Sequence, residues 1–547
     1  MSFLQKHSLL LLLILFGFWF RVSFIQLPAH MDESLMYVRF VTQGLDGIVT
    51  DYSNVNNHVL LSLILYFLDF AVGNELILLR LPSLVFGTLL IPASYLLGNY
   101  TYNHNAGLVA AVLVATSKGL VNYSVLARGY ALMILIVVLA FLLAIQILRH
   151  PKPWMWIALA TCLVLGFYTL PIMAYPAGVL LVWMGLCVLF RTSNGMRRMM
   201  LTRLTGWVGL SAIVVVLLYV PLLYSSQNQE SETSYHLIGD NSITSPQGVD
   251  SFVEETLKYP ARVYRAAVRD YPRVFIFTLW IFALVSLRQH RKINKTPVPL
   301  AFAVLLWLVP VYLAMRITPA MRTWLFLIPL FAVEVGGGLT YVFKRWQVER
   351  HLPVMLAGLT LLLTMGTYPS MQAEADSLLR KVAGHEKTSE IVSTLNASQT
   401  VSVFPRETIF EQCNLFEISV FLYGLQTNDI HYEHTLPSTL TLPQVNSHSD
   451  CYVAICDAQC DMQSLDQMTI TDQVYYPDLR MNAIYLSLYS TVDAQGVDLD
   501  NDHHVEAENL PCLKAIRSGL PPVLWLIRTL CEIEWVQAPE SFARPYV

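Results

Sequence analysis

The stretch HVLLSLILYFLDFAVG, residues 58–73, decides how the rest of this chain is threaded. It is apolar enough for a membrane, yet it is shorter than the roughly 20 residues that a crossing helix needs, and it carries Asp69. Runs of that length are interfacial or re-entrant helices more often than spans. If this one does not cross, every later loop changes sides relative to a version in which it does.

The surrounding composition is that of a membrane protein. Of 547 residues, 55% are hydrophobic and 14% charged, against roughly 25% charged in soluble domains. The formal net charge is −4, so no overall basic field speaks for nucleic acid. Apolar runs of spanning length fall near 8–27, 78–98, 106–122, 130–149, 153–171, 174–190, 205–224, 273–288, 298–316, 323–343 and 352–368. The expected fold class is therefore a polytopic α-helical membrane protein with about eleven transmembrane helices. The first run has a signal-like charged start, but Arg21, Phe24 and Gln26 stand where small residues would mark cleavage, so it reads as a retained span.

With 58–73 uncrossed, the loops RHPKP, RTSNGMRRMMLTR, RQHRKINK and KRWQVER all share the side of Lys6. Together they hold thirteen Lys and Arg, against ten on the other side between Arg80 and Arg322. The positive-inside rule favours this arrangement. It places residues 1–368 in a membrane domain whose first outer loop is 28–77 and whose long outer loop is 225–272. Residues 369–547 then lie outside the cytoplasm, in a bacterial inner or plasma membrane setting. The motif KYPARVYRAAVRDYP in the long loop interleaves Arg262, Arg265 and Arg269 with apolar residues, as an interfacial helix does.

After Tyr368 the apolar runs stop. TVSVF, DIHYEH and CYVAICD have strand character, while ADSLLRKVAGHEKTSEIVSTL and EQCNLFEISVFLYGL have helical patterns, so a C-terminal extracytoplasmic α/β domain is expected. Six of the eight cysteines (Cys413, Cys451, Cys456, Cys460, Cys512, Cys531) fall there, an even set consistent with disulfides in an oxidising compartment. The sequence does not choose among their pairings. The triplet Gly336, Gly337 and Gly338 lies inside a span, where small residues serve close helix approach.

On the outer side the uncrossed topology gathers four features. Asp32 and Glu33 follow the first span in AHMDESLMYVRF, where the cost of desolvating two adjacent carboxylates asks for a task. NNH ends at His58, LARGY carries Arg128 and Tyr130, and TPAMRTWLFLIPL carries Arg322. Carboxylates serve as general bases or metal ligands, and arginines at outer span ends suit a phosphate held at the membrane surface. Taken together they describe a site for an anionic, lipid-attached substrate.

In this order and spacing, DE after the first span, NNHVLLSLIL, NELILLRLPSLVFGTLLIPASYLLGN, SVLARGYAL and PAMRTWLFLIP resemble the GT-C membrane glycosyltransferases that use polyprenyl-phosphate sugars. The resemblance covers about residues 8–345 and is strongest to the branch of protein O-mannosyltransferases and the aminoarabinose transferase of lipid A. It implies an inverting transfer from a polyprenyl-phosphate-linked sugar donor to a lipid, glycan or protein acceptor. By position, Asp32 would be the general base with Glu33 as partner or substitute. Arg128 and Arg322 would bind the lipid phosphate, with His58 and Tyr130 beside it. The chain departs from the family where Val59 and Leu60 replace two prolines after His58. Gly129 and Tyr130 also stand where some members have an acidic residue, which removes one candidate metal ligand; no cofactor is assigned, and a divalent metal stays open without support from the residues. Two other classes stay open: a transporter or flippase of lipid-linked substrates, and a membrane-anchored binding protein.

Overall fold

The computed structural model describes residues 3–27, 30–52, 56–72, 76–191, 194–228, 258–265, 268–294, 296–315 and 319–381, together with five short strands between 401 and 487. The chain divides into two units. Unit 1 is Met1–Leu27 with Arg39–Asp376; unit 2 is Pro28–Val38 with Ser377–Val547.

Unit 1 is helical. In chain order its main elements are α1 (Phe3–Val22), α3 (Gly44–Thr50), α4 (Val59–Val72), α5 (Leu76–Thr101), α6 (His104–Thr116), α7 (Lys118–Asn122), α8 (Tyr130–Arg149), α9 (Pro153–Thr169), α10 (Ala174–Arg191) and α11 (Asn194–Asn228). Then come α12 (Arg273–Arg288), α13 (His290–Ile293), α14 (Leu300–Met315), α15 (Leu327–Arg345) and α16 (Leu352–Lys381). Six helices among the described residues are long and apolar enough to cross a membrane, and they make this an integral membrane protein. α4 is shorter: its 14 residues give a length of roughly 21 Å, which falls short of a hydrocarbon core of roughly 30 Å.

The expected span 106–122 is broken at Ser117, which separates α6 from α7. Every residue of α6 from Ala106 to Thr116 is buried, and the sequence AGLVAAVLVAT explains why. Its small side chains let neighbours come close: a Cβ on Gly98 of α5 would sit 2.9 Å from the Gly107 Cα, and one on Gly336 of α15 would sit 2.5 Å from the Ala106 carbonyl oxygen. The glycine triplet therefore does the packing expected of it. A helix that ends inside apolar surroundings leaves carbonyls without water to solvate them. Here Arg21 of α1 donates to the carbonyls of Ala115 (3.1 Å) and Val114 (3.3 Å), and the Thr367 hydroxyl donates to that of Thr116 (2.8 Å). Arg21 thus caps a buried helix end.

A second buried polar cluster joins α5, α12 and α15. The Tyr102 and Ser286 hydroxyls both donate to Glu334 Oε2, at 2.7 and 2.8 Å. At the other end of the bundle, Lys118 Nζ reaches Asp270 (3.2 Å), Ser370 (2.6 Å) and Glu374 (3.3 Å), tying α7 to the chain before α12 and to α16.

In unit 2 the described elements are α2 (Met31–Met36) and a sheet of β1 (Val401–Val403), β2 (Tyr432–His434), β3 (Tyr452–Asp457), β4 (Thr469–Tyr476) and β5 (Met481–Ser487). Its order is β2-β1-β3-β5-β4, with β1 parallel to β2 and β3, and β5 antiparallel to β3 and β4. Each of the three expected strand segments contains one of these strands. The helical pattern of EQCNLFEISVFLYGL, and five of the six cysteines named for disulfides, lie outside the described residues. Cys456 falls in β3, whose side chains are likewise not described.

Candidate functional site

Within unit 1, His58, Arg128, Tyr130 and Arg322 come together although they are far apart in the chain. Each is brought in by a separate local device.

His58 is fully buried immediately before α4. Its neighbour Asn57, also buried, sets the corner. The Asn57 amide donates to the carbonyls of Ile48 (2.9 Å) and Asp51 (2.7 Å), and its oxygen accepts from the Ser62 hydroxyl (3.1 Å). α3, the loop and the first turn of α4 are thereby fixed to one another, without the two prolines that the family resemblance leads one to look for.

The His58 ring is oriented from the opposite side. Gly129 N–H donates to Nδ1 at 2.9 Å, and the Tyr130 ring meets the imidazole edge-on at 5.5 Å. Because Nδ1 accepts, the neutral ring carries its proton on Nε2. Among the described residues that buried Nε2 has no hydrogen-bond partner. Burial, then the charge of Arg322, lowers the His58 pKa from 6.5 to about 3, so the ring stays neutral and keeps one N–H to offer. Gly129 has to be glycine for this contact. A Cβ there would lie 2.9 Å from Thr169 Cγ2 and 3.1 Å from His58 Cβ.

Arg128 and Tyr130 flank Gly129 in the turn that leads into α8. Ser83 on α5 donates to the Arg128 carbonyl at 3.2 Å, holding the turn. The buried guanidinium lies 5.5 Å from the Tyr130 ring centroid and hydrogen-bonds its phenol. Burial lowers the Arg128 pKa to about 10, with Arg322 adding to the effect and Tyr130 opposing it. It remains a cation at neutral pH.

Arg322 lies in the 3-10 turn Met321–Trp324, between α14 and α15. It hydrogen-bonds Tyr123, whose pKa burial and the nearby Tyr130 raise to about 12 while Arg322 pulls it back. The turn is anchored by Tyr259: the Trp324 indole donates to the Tyr259 hydroxyl at 2.9 Å, and that hydroxyl donates to the Pro319 carbonyl. Tyr259 lies in the first turn of the helical segment 258–265, whose Arg262 and Arg265 are exposed. Tyr259, from the long loop 225–272, thus steadies the Arg322 turn.

The electrostatic outcome is a cationic pair that shares its space with a neutral donor. Arg322 opposes charge on both His58 and Arg128, so the three groups are close enough to feel one another. An anion placed between them would remove that repulsion and accept from Nε2–H. Tyr123 and Tyr52 complete the surroundings, and burial and then Tyr130 raise the pKa of the Tyr52 phenol, so both are neutral hydroxyls. Among the described residues no group of three or more His, Cys, Asp or Glu is arranged to hold a metal ion.

Asp32 and Glu33 belong to unit 2, in the first turn of α2. Glu33 is buried, and its Oε1 accepts from the His30 N–H at 2.7 Å, while His30 Nδ1 accepts from the Asp32 N–H at 3.2 Å. This is a capping box with histidine at the N-cap. Of the two adjacent carboxylates, Glu33 is used to start the helix and Asp32 is the half-buried one. Sequence reasoning missed this division, together with Asn57, Ser83, Tyr123 and Tyr259. The spacing His30-x-x-Glu33 was a readable signal; the other four act through tertiary contacts.

No protein-family model matches the sequence, and no curated protein matches it. Solved structures do. The crystal structure of ArnT from Cupriavidus metallidurans bound to undecaprenyl phosphate is similar over 88% of this chain and 98% of that one, with 10% identity and a TM-score of 0.59. The apo state of the same protein is similar over 88% and 97%, with 13% identity and a TM-score of 0.53. The likeness is one of fold.

Proposed function

We propose that this chain is an inverting glycosyltransferase that moves a sugar from a polyprenyl-phosphate donor to an acceptor hydroxyl or phosphate on the extracytoplasmic side of the membrane. The observation that carries the reading is the cluster of Arg128, Arg322 and the unpartnered Nε2–H of His58, arranged as an anion would need them. ArnT, whose fold this chain shares, was solved with undecaprenyl phosphate, a lipid of the chemistry that such a cluster suits.

The proposed reaction assigns different work to the two carboxylates and the cationic cluster. As the acceptor oxygen bonds to the anomeric carbon, the bond from that carbon to the phosphate oxygen breaks and its electron pair stays on the phosphate. A phosphodiester with one negative charge becomes a monoester that gains another. Arg128 and Arg322 therefore hold the leaving group more strongly in the transition state than in the ground state, which is the condition for raising the rate. Phosphate leaves without protonation, so no strong general acid is required. Asp32 takes the proton of the acceptor hydroxyl, and Glu33 supports the short helix that presents it. In this arrangement α1, α6, α9, α12 and α14 cross the membrane together with the six longer apolar helices, making about eleven spans, while α4 does not cross, and residues 369–547 form an α/β domain outside the cytoplasm.

The test uses the purified chain with a labelled polyprenyl-phosphate sugar and candidate acceptors. Release of lipid phosphate with sugar transfer is expected, and Asp32→Asn should lower it by ~10²–10⁴-fold with expression retained. Near-normal turnover in that variant would refute the base assignment. A donor that crosses the bilayer with its sugar bond intact would identify a flippase instead.

A further inference from the structure

At the end of unit 1 away from the His58 cluster lies an open cavity of about 760 Å³. The helix directions fix its position. α12 begins beside Tyr271, which hydrogen-bonds Thr367 near Lys118, and runs roughly 24 Å to its other end at Arg288. α14 starts at Leu300 and runs toward the Arg322 turn. The cavity is lined by the residues at the far ends: Phe190 closing α10, Arg291 in α13, Asn294 and Thr296 in the loop, and Phe302 and Leu305 opening α14.

Two chemically different walls meet there. One is basic: Arg291 lines the cavity and is exposed, and Arg288 and Lys292, close to it in the chain, are exposed as well. The other is apolar: Phe190 is 73% exposed, Phe302 54% and Leu305 63%, at the ends of helices in a membrane protein. The loop between the walls is built rather than loose. Asn294 Oδ1 accepts from the Thr296 amide and hydroxyl, both at 2.9 Å; His290 Nε2 donates to the Thr296 carbonyl at 3.0 Å; the Trp183 indole donates to the Val298 carbonyl at 3.0 Å.

The geometry points to a binding site for an anionic glycerophospholipid, with its phosphate against Arg291 and its acyl chains along Phe190, Phe302 and Leu305. Basic pockets between membrane helices select such headgroups, because a cation near the interface attracts an anionic lipid while the apolar wall replaces lost bilayer contact. A free phosphate would use only the basic wall and leave most of a cavity of this size unfilled. The site is separate from the proposed transfer chemistry and does not depend on it. It requires only that the bundle sit in a membrane.

The test uses the full chain in detergent, with dioctanoyl phosphatidylglycerol, dioctanoyl phosphatidylcholine and glycerol 3-phosphate as probes, read by native mass spectrometry and titration. Wild-type protein should hold one phosphatidylglycerol that Arg291→Glu loses, with affinity at that site falling about tenfold or more. Phosphatidylcholine binding should not change in that variant. Ala301→Trp fills the cavity without altering its charge, and should also remove the bound phosphatidylglycerol. Three results would each overturn the proposal: phosphatidylglycerol retained in both variants, equal retention of phosphatidylcholine at the Arg291-dependent site, or displacement of phosphatidylglycerol by equimolar glycerol 3-phosphate.

Discussion

Replacing His58 with Phe keeps a ring against Tyr130 and removes both polar ends of the imidazole, so its two effects can be separated. At Nδ1, the Gly129 N–H loses its 2.9 Å acceptor inside the protein. A buried amide left unsatisfied costs about 1–3 kcal/mol of stability. At Nε2, a donor facing the cationic cluster is lost; a hydrogen bond to a charged phosphate is worth about 1.5–3 kcal/mol, so affinity for polyprenyl phosphate should fall ~10- to ~150-fold. The pH dependence adds a second readout. The folded pKa of about 3 lies below the unfolded value of 6.5, so the unfolded chain takes up a proton first as pH falls. The contribution to stability is complete above 6.5 and declines below it, by about 2 kcal/mol at pH 5. His58→Phe should lack that part of the decline. Binding should be followed by titrating polyprenyl phosphate in detergent between pH 5.5 and 8, and stability by thermal unfolding over pH 5–7.5. If the variant binds as tightly as the wild type, His58 does not contact the phosphate. A wild-type advantage that grows tenfold toward pH 5.5 would mean the ring is charging, contrary to its burial.

Arg322→Ala should weaken donor-lipid binding more than acceptor binding, and an unchanged donor Kd with a raised acceptor KM would reverse the assignment. Asn57→Ala removes three hydrogen bonds that fix α3 to α4 and should lower stability by about 2–4 kcal/mol, with kcat falling through a displaced His58; a melting temperature equal to that of the wild type would show that the corner is held by something else. A reporter fused after Lys381 should be active only outside the cytoplasm, and cytoplasmic activity would mean that α4 crosses the membrane.

Much of the helical architecture could be read from the sequence because membrane helices announce themselves. Without water, the backbone has to satisfy itself within each helix, so long apolar runs are both necessary and visible. The positions of Arg128, Tyr130, Arg322 and His58 were equally legible, since polar residues at the mouths of apolar runs are costly enough to stand out. The break at Ser117 was not. Neither was the burial of α6, which depends on the close approach of Gly98 to Gly107 and on Gly336 of α15, far along the chain, meeting Ala106.

What the sequence determined by itself was therefore local: which segments form long apolar helices, and which charged and aromatic side chains stand at their ends. Tertiary structure decided what those side chains do. It set the His58 tautomer through a backbone amide 71 residues away, and turned Arg21 from an oddity in an apolar helix into a cap for the carbonyls of Val114 and Ala115. It also gave the Arg322 turn an anchor in Tyr259. The local devices, such as the Glu33 cap three residues from His30, are encoded in spacing along the chain. A donor and an acceptor from distant segments carry no such spacing, and only the fold brings them within reach.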